Sequence, residues 1–337
     1  MSALLSPAGG LFLLLAVTDA LPPLQARFTP DQLRRIQAGE TVVSVFQEED
    51  RTEVLTLGAV RVGVGPDRLV ACAREASCLH AHPDLEQAGR IEAVAAPAEP
   101  AGLSLDDALL DRLARCRVGK CGLRLSKEAI ERFGSAVRWD DEGGRAAAAS
   151  ALMRQMLMAQ AADYHAQGNR ALLVFADRPQ PASAGESMAV LLERGLPGLD
   201  AQPDLRRFLR DYPNAPDPGL ADQYLMWYRE HSFRRTLIGL QHVAVARFTA
   251  QGSDLALAVS KQVYASSFTN ASLEMTAVAA PQGSRDGVLV IASRSRTDIR
   301  PSGFNWLERV LLRKMVGGRL SDRLKTLKSR LEATPAR

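Results

Sequence analysis

The chain is poor in lysine, aromatic residues and cysteine, and each shortage excludes something. Only six of its 42 basic residues are lysine, so its high pI and arginine content, beside abundant alanine, read as a GC-rich coding bias and not as arginine-mediated recognition of nucleic acid. Aromatics make up 5% of 337 residues, too few for a stacking platform on single-stranded nucleic acid. Four cysteines rule out a dense disulfide framework. The apolar stretch Leu11 to Val17 is far too short for a membrane span. Also missing are a Gly-x-Ser-x-Gly nucleophile elbow, a Walker-type phosphate loop and a Gly-x-Gly-x-x-Gly fingerprint between strand and helix. What remains, 46% hydrophobic and 24% charged residues, is the composition of a folded globular protein of one large domain or two ordinary ones.

Charge and cysteine become informative when located. From Arg294 onward twelve Lys/Arg face four Asp/Glu, a net of +8, so residues 1–293 sum to −4. A basic tail of this kind favours an acidic partner, and an anionic membrane surface is the one expected. Residues 1–26 read as a signal segment, with Leu11 to Val17 as its apolar region and Thr18-Asp19-Ala20 as its cleavage site. No Lys or Arg precedes Arg27, which leaves a short buried N-terminal segment in a cytoplasmic protein as the alternative. Export to the periplasm or cell envelope agrees with Cys116-Arg-Val-Gly-Lys-Cys121, where Gly119 supplies the turn a local disulfide needs.

The pattern along the chain is α+β. A short helix starts at Thr29-Pro30-Asp31, and strands are expected at Thr41 to Phe46 and Glu53 to Val64. Gly65-Pro66-Asp67 then opens a helix through about Ala76, which Pro83 closes. Ala93 to Gly102 reads as a linker. Residues 100–232 read as a mostly helical insertion, with helices at Leu105 to Leu113, Ser126 to Phe133, Arg145 to Gln167, Glu186 to Glu193, Asp204 to Asp211 and Leu220 to Glu230, broken by one strand at Ala171 to Ala176. Four strands follow, Thr236 to Phe248, Leu255 to Ser266, Ala271 to Ala280 and Gly287 to Ser295, whose short connections predict an antiparallel meander. A long helix from Asn305 to Glu332 ends the chain, with a leucine stripe and Gly317-Gly318 at its middle as a kink, a hinge, a close approach by backbone or ligand, or a break between two shorter helices.

Without the insertion, this order resembles the helix-grip fold of the START-like (SRPBCC) superfamily. The resemblance is carried by Leu57-Gly58-Ala59-Val60-Arg61-Val62-Gly63-Val64-Gly65-Pro66-Asp67-Arg68-Leu69, similar to its first strand and helix, and by Leu237 to Leu331, similar to its closing strands and helix. It implies that residues 27–99 and 233–332 form a curved antiparallel sheet wrapped on the C-terminal helix, with a lipid or other apolar ligand between them. Cys116-Arg-Val-Gly-Lys-Cys121, Ser260-Lys261-Gln262-Val263-Tyr264-Ala265-Ser266 and Ser293-Arg294-Ser295-Arg296 are also similar to segments of uncharacterised exported bacterial proteins.

Candidate site residues follow. His242, Ser260, Gln262 and Tyr264 are polar groups on strands that could orient a ligand head group, and the small residues Ala256 and Ala258 leave volume on a sheet face. Arg319, Arg323 and Lys325 are expected to face a membrane. In Cys78-Leu79-His80-Ala81-His82-Pro83-Asp84, two histidines and Asp84, with Cys72 as a fourth donor, have the residue types of a metal site, but Pro83 favours a polar turn, and no metal or cofactor is expected. The reading is therefore non-enzymatic binding or transport of an apolar ligand in the cell envelope. The alternatives are an enzyme using His80, His82 and Asp84 or His242, and a protein–protein interaction module.

Overall fold

The computed structural model describes residues 27–50, 52–91, 100, 102–232, 235–250, 252–297 and 306–333. The signal segment expected over 1–26 lies outside these residues, as does nearly all of the linker over 93–102. Helix α1 (Pro30–Gln37) starts on a capping box made by Thr29 and Gln32, as Thr-Pro-Asp predicts. Strands β1 (Val42–Gln47) and β2 (Glu53–Val62) follow, then α2 (Asp67–Ala73), α3 (Ala76–Leu79) and β3 (Leu85–Ile91). Five helices come next, α4 (Asp107–Ala114), α5 (Lys127–Ala136), α6 (Arg145–Gln167), α7 (Ala184–Arg194) and α8 (Pro203–Asp211), with the two-residue strands β4 (Val174–Phe175) and β5 (Ala182–Ser183) before α7. The meander is β6 (Leu220–Ser232), β7 (Arg235–Ala250), β8 (Ser253–Ala265), β9 (Ala271–Pro281) and β10 (Gly287–Arg296), and α9 (Trp306–Ala333) follows it.

Eight strands form one curved antiparallel sheet in the order β1-β2-β10-β9-β8-β7-β6-β3. Alternation along the strands divides its side chains between two cores. Leu55, Leu57, Val259, Met275 and Val290 pack with residues of α4 to α8 on one face, while Val60, Val62, Val245, Val278 and Ile291 pack with α2, α3 and α9 on the other. Helix α9 lies against β2, β1 and β10, and its leucines Leu320, Leu324, Leu327 and Leu331 are buried there. Gly58 makes room for it, since a β-carbon at that position would come within 2.6 Å of Leu324 Cδ1. Helix α2 lies across β7 and β8, so the space that Ala256 and Ala258 leave is taken by a helix of the fold itself.

Three expectations are corrected. Leu220 to Glu230 is the start of β6 and not a helix. Tyr224 to Trp227 are buried in succession, because this strand is covered on both faces, and a continuous apolar run carries no period to separate strand from helix. Strand β3 was not anticipated, since Glu86, Gln87 and Arg90 hide its alternation and it is an edge held only by β6. Gly317 and Gly318 neither break nor end α9, which runs through both. The strand expected at Ala171 to Ala176 shrinks to Val174–Phe175, preceded by a 3-10 turn.

Candidate functional site

A cleft of about 260 Å³ opens between α9 and the sheet, and most of the residues that line it are polar. The sheet contributes a register row. Thr56 of β2 pairs with Ser293 of β10, Ser293 with Glu274 of β9, and Glu274 with Ser260 of β8. Four polar side chains thus stand in line across four strands on a face that is otherwise mostly apolar. Above them, Arg319 and Arg323 stand one turn apart on α9.

The far wall is the turn between α3 and β3. A disulfide joins Cys72 to Cys78, tying α2 to α3 immediately before His80. Cys72 is therefore spent as a cross-link and supplies no metal ligand. The pairing of Leu85 with Glu230 and the 2.9 Å hydrogen bond from the His231 amide to the Asp84 carbonyl bring this turn against the end of β6. As a result His82 Nε2 lies 2.8 Å and His80 Nε2 3.9 Å from Glu230 Oε2. The Asp84 amide donates to His82 Nδ1 at 3.2 Å, which places the ring proton on Nε2, where it is given to Glu230. Arg319 pairs with Asp84 at 3.1 Å, leaving that carboxylate out of the histidine cluster.

Burial sets the charge states. His80 is pushed down to about 3 by burial and then by the Arg323 charge, so it is a neutral imidazole. It makes no hydrogen bond among the described residues, and its ring packs on Tyr228 at 4.4 Å. Burial alone would raise the Glu230 carboxyl, but the His82 hydrogen bond, the electrostatic interaction with the two imidazoles and the Arg319 charge hold it below its ordinary value. Arg323 pairs with Glu274 through Nη1, whereas its Nε and Nη2 are buried with no hydrogen-bond acceptor.

The residues singled out in the sequence separate. Ser260 ends the register row beside Glu274 but is not among the residues that line the cleft. Gln262 is bound into the β8–β9 connection by Thr269 and by the Asn270 carbonyl. His242 and Tyr264 belong to the opposite, helix-covered face, where Tyr164 Oη bonds His242 Nδ1 at 2.9 Å. There His242 pairs across strands with Lys261, a fully buried amine that donates to Asn169 Oδ1 at 2.9 Å and to the Leu209 carbonyl at 2.6 Å. Burial lowers Lys261 to about 7. Of the three residues expected to meet a membrane, Arg319 and Arg323 turn inward to the carboxylates of the sheet, a correction that follows from the acids at the floor of the cleft. Lys325 is exposed. Cys116 and Cys121 are joined, as the spacing predicted, and no free cysteine remains.

Glu230, Glu274, Thr56 and Ser293 are not among the site residues expected from the sequence. Glu230 sat in a segment read as a helix. Read as a strand, Tyr224, Met226, Tyr228 and Glu230 share one face, and an acid ending an apolar face is a visible signal. No protein-family model matches the chain, and neither does any curated protein.

Proposed function

We propose that the protein is a binding protein of the cell envelope built on the helix-grip plan, whose cleft beneath α9 takes a small anionic molecule. The strand order supports the plan: setting β1 aside, β2 and β10 are neighbours, two short helices carry the chain from β2 across the sheet to β3 at the far edge, and the terminal helix packs on the same face over β1, β2 and β10. The helices α4 to α8 are then an insertion between β3 and β6 that covers the opposite face. The two disulfides support an oxidising compartment, and no helix among the described residues is long and apolar enough to cross a membrane.

The observation that carries the ligand class is the Arg323 guanidinium. Arg323 lines the cleft, and its buried Nε and Nη2 have no hydrogen-bond acceptor among the described residues, which costs about 1–3 kcal/mol for each unsatisfied group and more for a charged one. A carboxylate or phosphate accepts from such a fork in bidentate fashion. The cleft volume is near the lower limit of small-molecule pockets, and its floor is hydroxyl and carboxylate. The unsatisfied guanidinium favours a compact anion, and the polar floor disfavours the lipid or other apolar ligand expected from the sequence. Calorimetric titration with inorganic phosphate and with short carboxylates, on the wild type and on Arg323→Lys, tests the reading. Lysine keeps an ion pair with Glu274 but lacks the fork, so affinity is expected to fall about tenfold or more. Equal affinity in the two proteins contradicts it.

A further inference from the structure

We propose that His80, His82 and Glu230 form a three-ligand site for a divalent cation of the zinc class. One donor atom from each lies within 4.8 Å of the others, the two imidazoles coming from the α3–β3 turn and the carboxylate from β6. Two imidazoles and a carboxylate are a donor set suited to zinc, and three protein ligands leave a coordination position for water or for a ligand entering the cleft.

An ion-pair pin between the turn and the sheet accounts for His82, which bonds Glu230, and for Arg319, which reaches Asp84 and Glu230. It does not account for His80. That imidazole is 6% exposed and lines the cleft, makes no side-chain hydrogen bond among the described residues, and has Glu230 Oε2 at 3.9 Å, beyond hydrogen-bond distance. A cation gives its lone pair a partner. The cleft carries more carboxylates than guanidiniums, with Asp84, Glu230, Glu274 and Asp322 against Arg319 and Arg323, so a cation is not repelled on entry. The disulfide before His80 and the Leu85–Glu230 pairing fix the two segments relative to each other. On binding, the cation displaces the proton that His82 now gives to Glu230, the ring carries its proton on Nδ1, and the 3.2 Å contact from the Asp84 amide opens. The site shares its cleft with the anion reading but does not depend on it, since zinc alone is the probe.

The test uses the full chain, purified without a histidine tag, stripped with chelator and titrated with ZnCl₂ in the absence of phosphate and carboxylate buffers. One equivalent of zinc per chain is expected, with affinity falling roughly 100-fold or more in His80→Ala and in Glu230→Gln and unchanged in His165→Ala. Absence of stoichiometric zinc in the wild type overturns the proposal, as does an undiminished equivalent in His80→Ala. If His80→Ala does not fold, ring-nitrogen NMR of the wild type decides. Zinc-dependent shifts of His80 and His82 support the site, and shifts confined to the other histidines overturn it.

Discussion

His82 donates from Nε2 to Glu230 at 2.8 Å, and through this contact the turn that precedes β3 is fastened to the end of β6. Arg319 approaches the same carboxylate at 3.6 Å from α9, so three segments far apart in sequence meet at one acid. The cleft exists because they meet there. The terminal helix is held to the sheet by Leu320, Leu324, Leu327 and Leu331, with the charged contacts of Arg319 and Arg323 interleaved among them.

The charged contacts have a measurable signature in the part-buried Arg323–Glu274 pair. Arg323→Leu leaves an uncompensated carboxylate and is expected to cost less unfolding free energy than the loss of about 3–5 kcal/mol for a fully buried pair, while Arg323→Leu with Glu274→Leu recovers most of the loss. Denaturant titration of the two single variants and the double variant checks the coupling. Additive losses would show that the pair does not interact.

Two glycines under and within α9 are expected to respond in opposite directions. Gly58→Val drives methyl groups into Leu324 and should destabilise by about 1–3 kcal/mol. At Gly317 an added β-carbon meets Val45 and Val43 at 3.6 and 3.8 Å, ordinary contact distances, so Gly317→Ala should stabilise by about 1 kcal/mol through helix propensity. Thermal melts of both variants check this. A destabilising Gly317→Ala would mean that α9 is not continuous there.

Much of the scaffold was legible because its signals are local. Thr29-Pro30-Asp31 announces α1, Gln251-Gly252-Ser253 and Pro281-Gln282-Gly283-Ser284 separate the meander strands, and Cys116 and Cys121 bracket a glycine turn. The cleft was legible only in pieces. His80 and His82 are visible as a pair and Ser260 as a polar residue among alanines, but their meeting with Glu230 and Glu274 depends on register across β3–β6 and β8–β9, which no local pattern encodes. The inward turn of Arg319 and Arg323 is likewise fixed by carboxylates on other strands. A helix read alone shows only that these residues are basic.

Stability should rise from about pH 7 towards pH 10 on account of Lys261. Burial lowers its folded-state value from 10.5 to about 7, so across that window the unfolded chain holds a proton that the folded chain does not. Lys261→Met removes the proton difference, and its stability should be flat where the wild type climbs. Parallel curves for the two proteins would show that the buried amine remains charged.

On the acid side His242 acts in the same sense. Burial, then the Lys261 and His165 charges, hold it well below 6.5, so stability falls as pH drops below 6.5 and the unfolded chain takes up the proton first. His80 adds a second such proton. In His242→Gln, which still accepts from Tyr164, the slope between pH 6.5 and 5 should lose about one proton, or roughly 1.4 kcal/mol per pH unit at full effect. An unchanged slope would contradict the buried neutral imidazole.

Both disulfides close short loops, so each should contribute modestly. Cys116→Ala/Cys121→Ala and Cys72→Ala/Cys78→Ala are each expected to cost about 2 kcal/mol. Alkylation without reduction should label no thiol in protein from an oxidising compartment, and labelling at Cys72 or Cys78 would remove the cross-link that positions His80.

The nature of the ligand is tested most directly by native mass spectrometry of the full chain purified gently from an oxidising compartment, with Arg323→Lys prepared in parallel. The account predicts a small acidic adduct on the wild type that is depleted in the variant. A lipid-sized adduct retained equally by both proteins would contradict it, and would return the cleft to the apolar ligand expected from sequence.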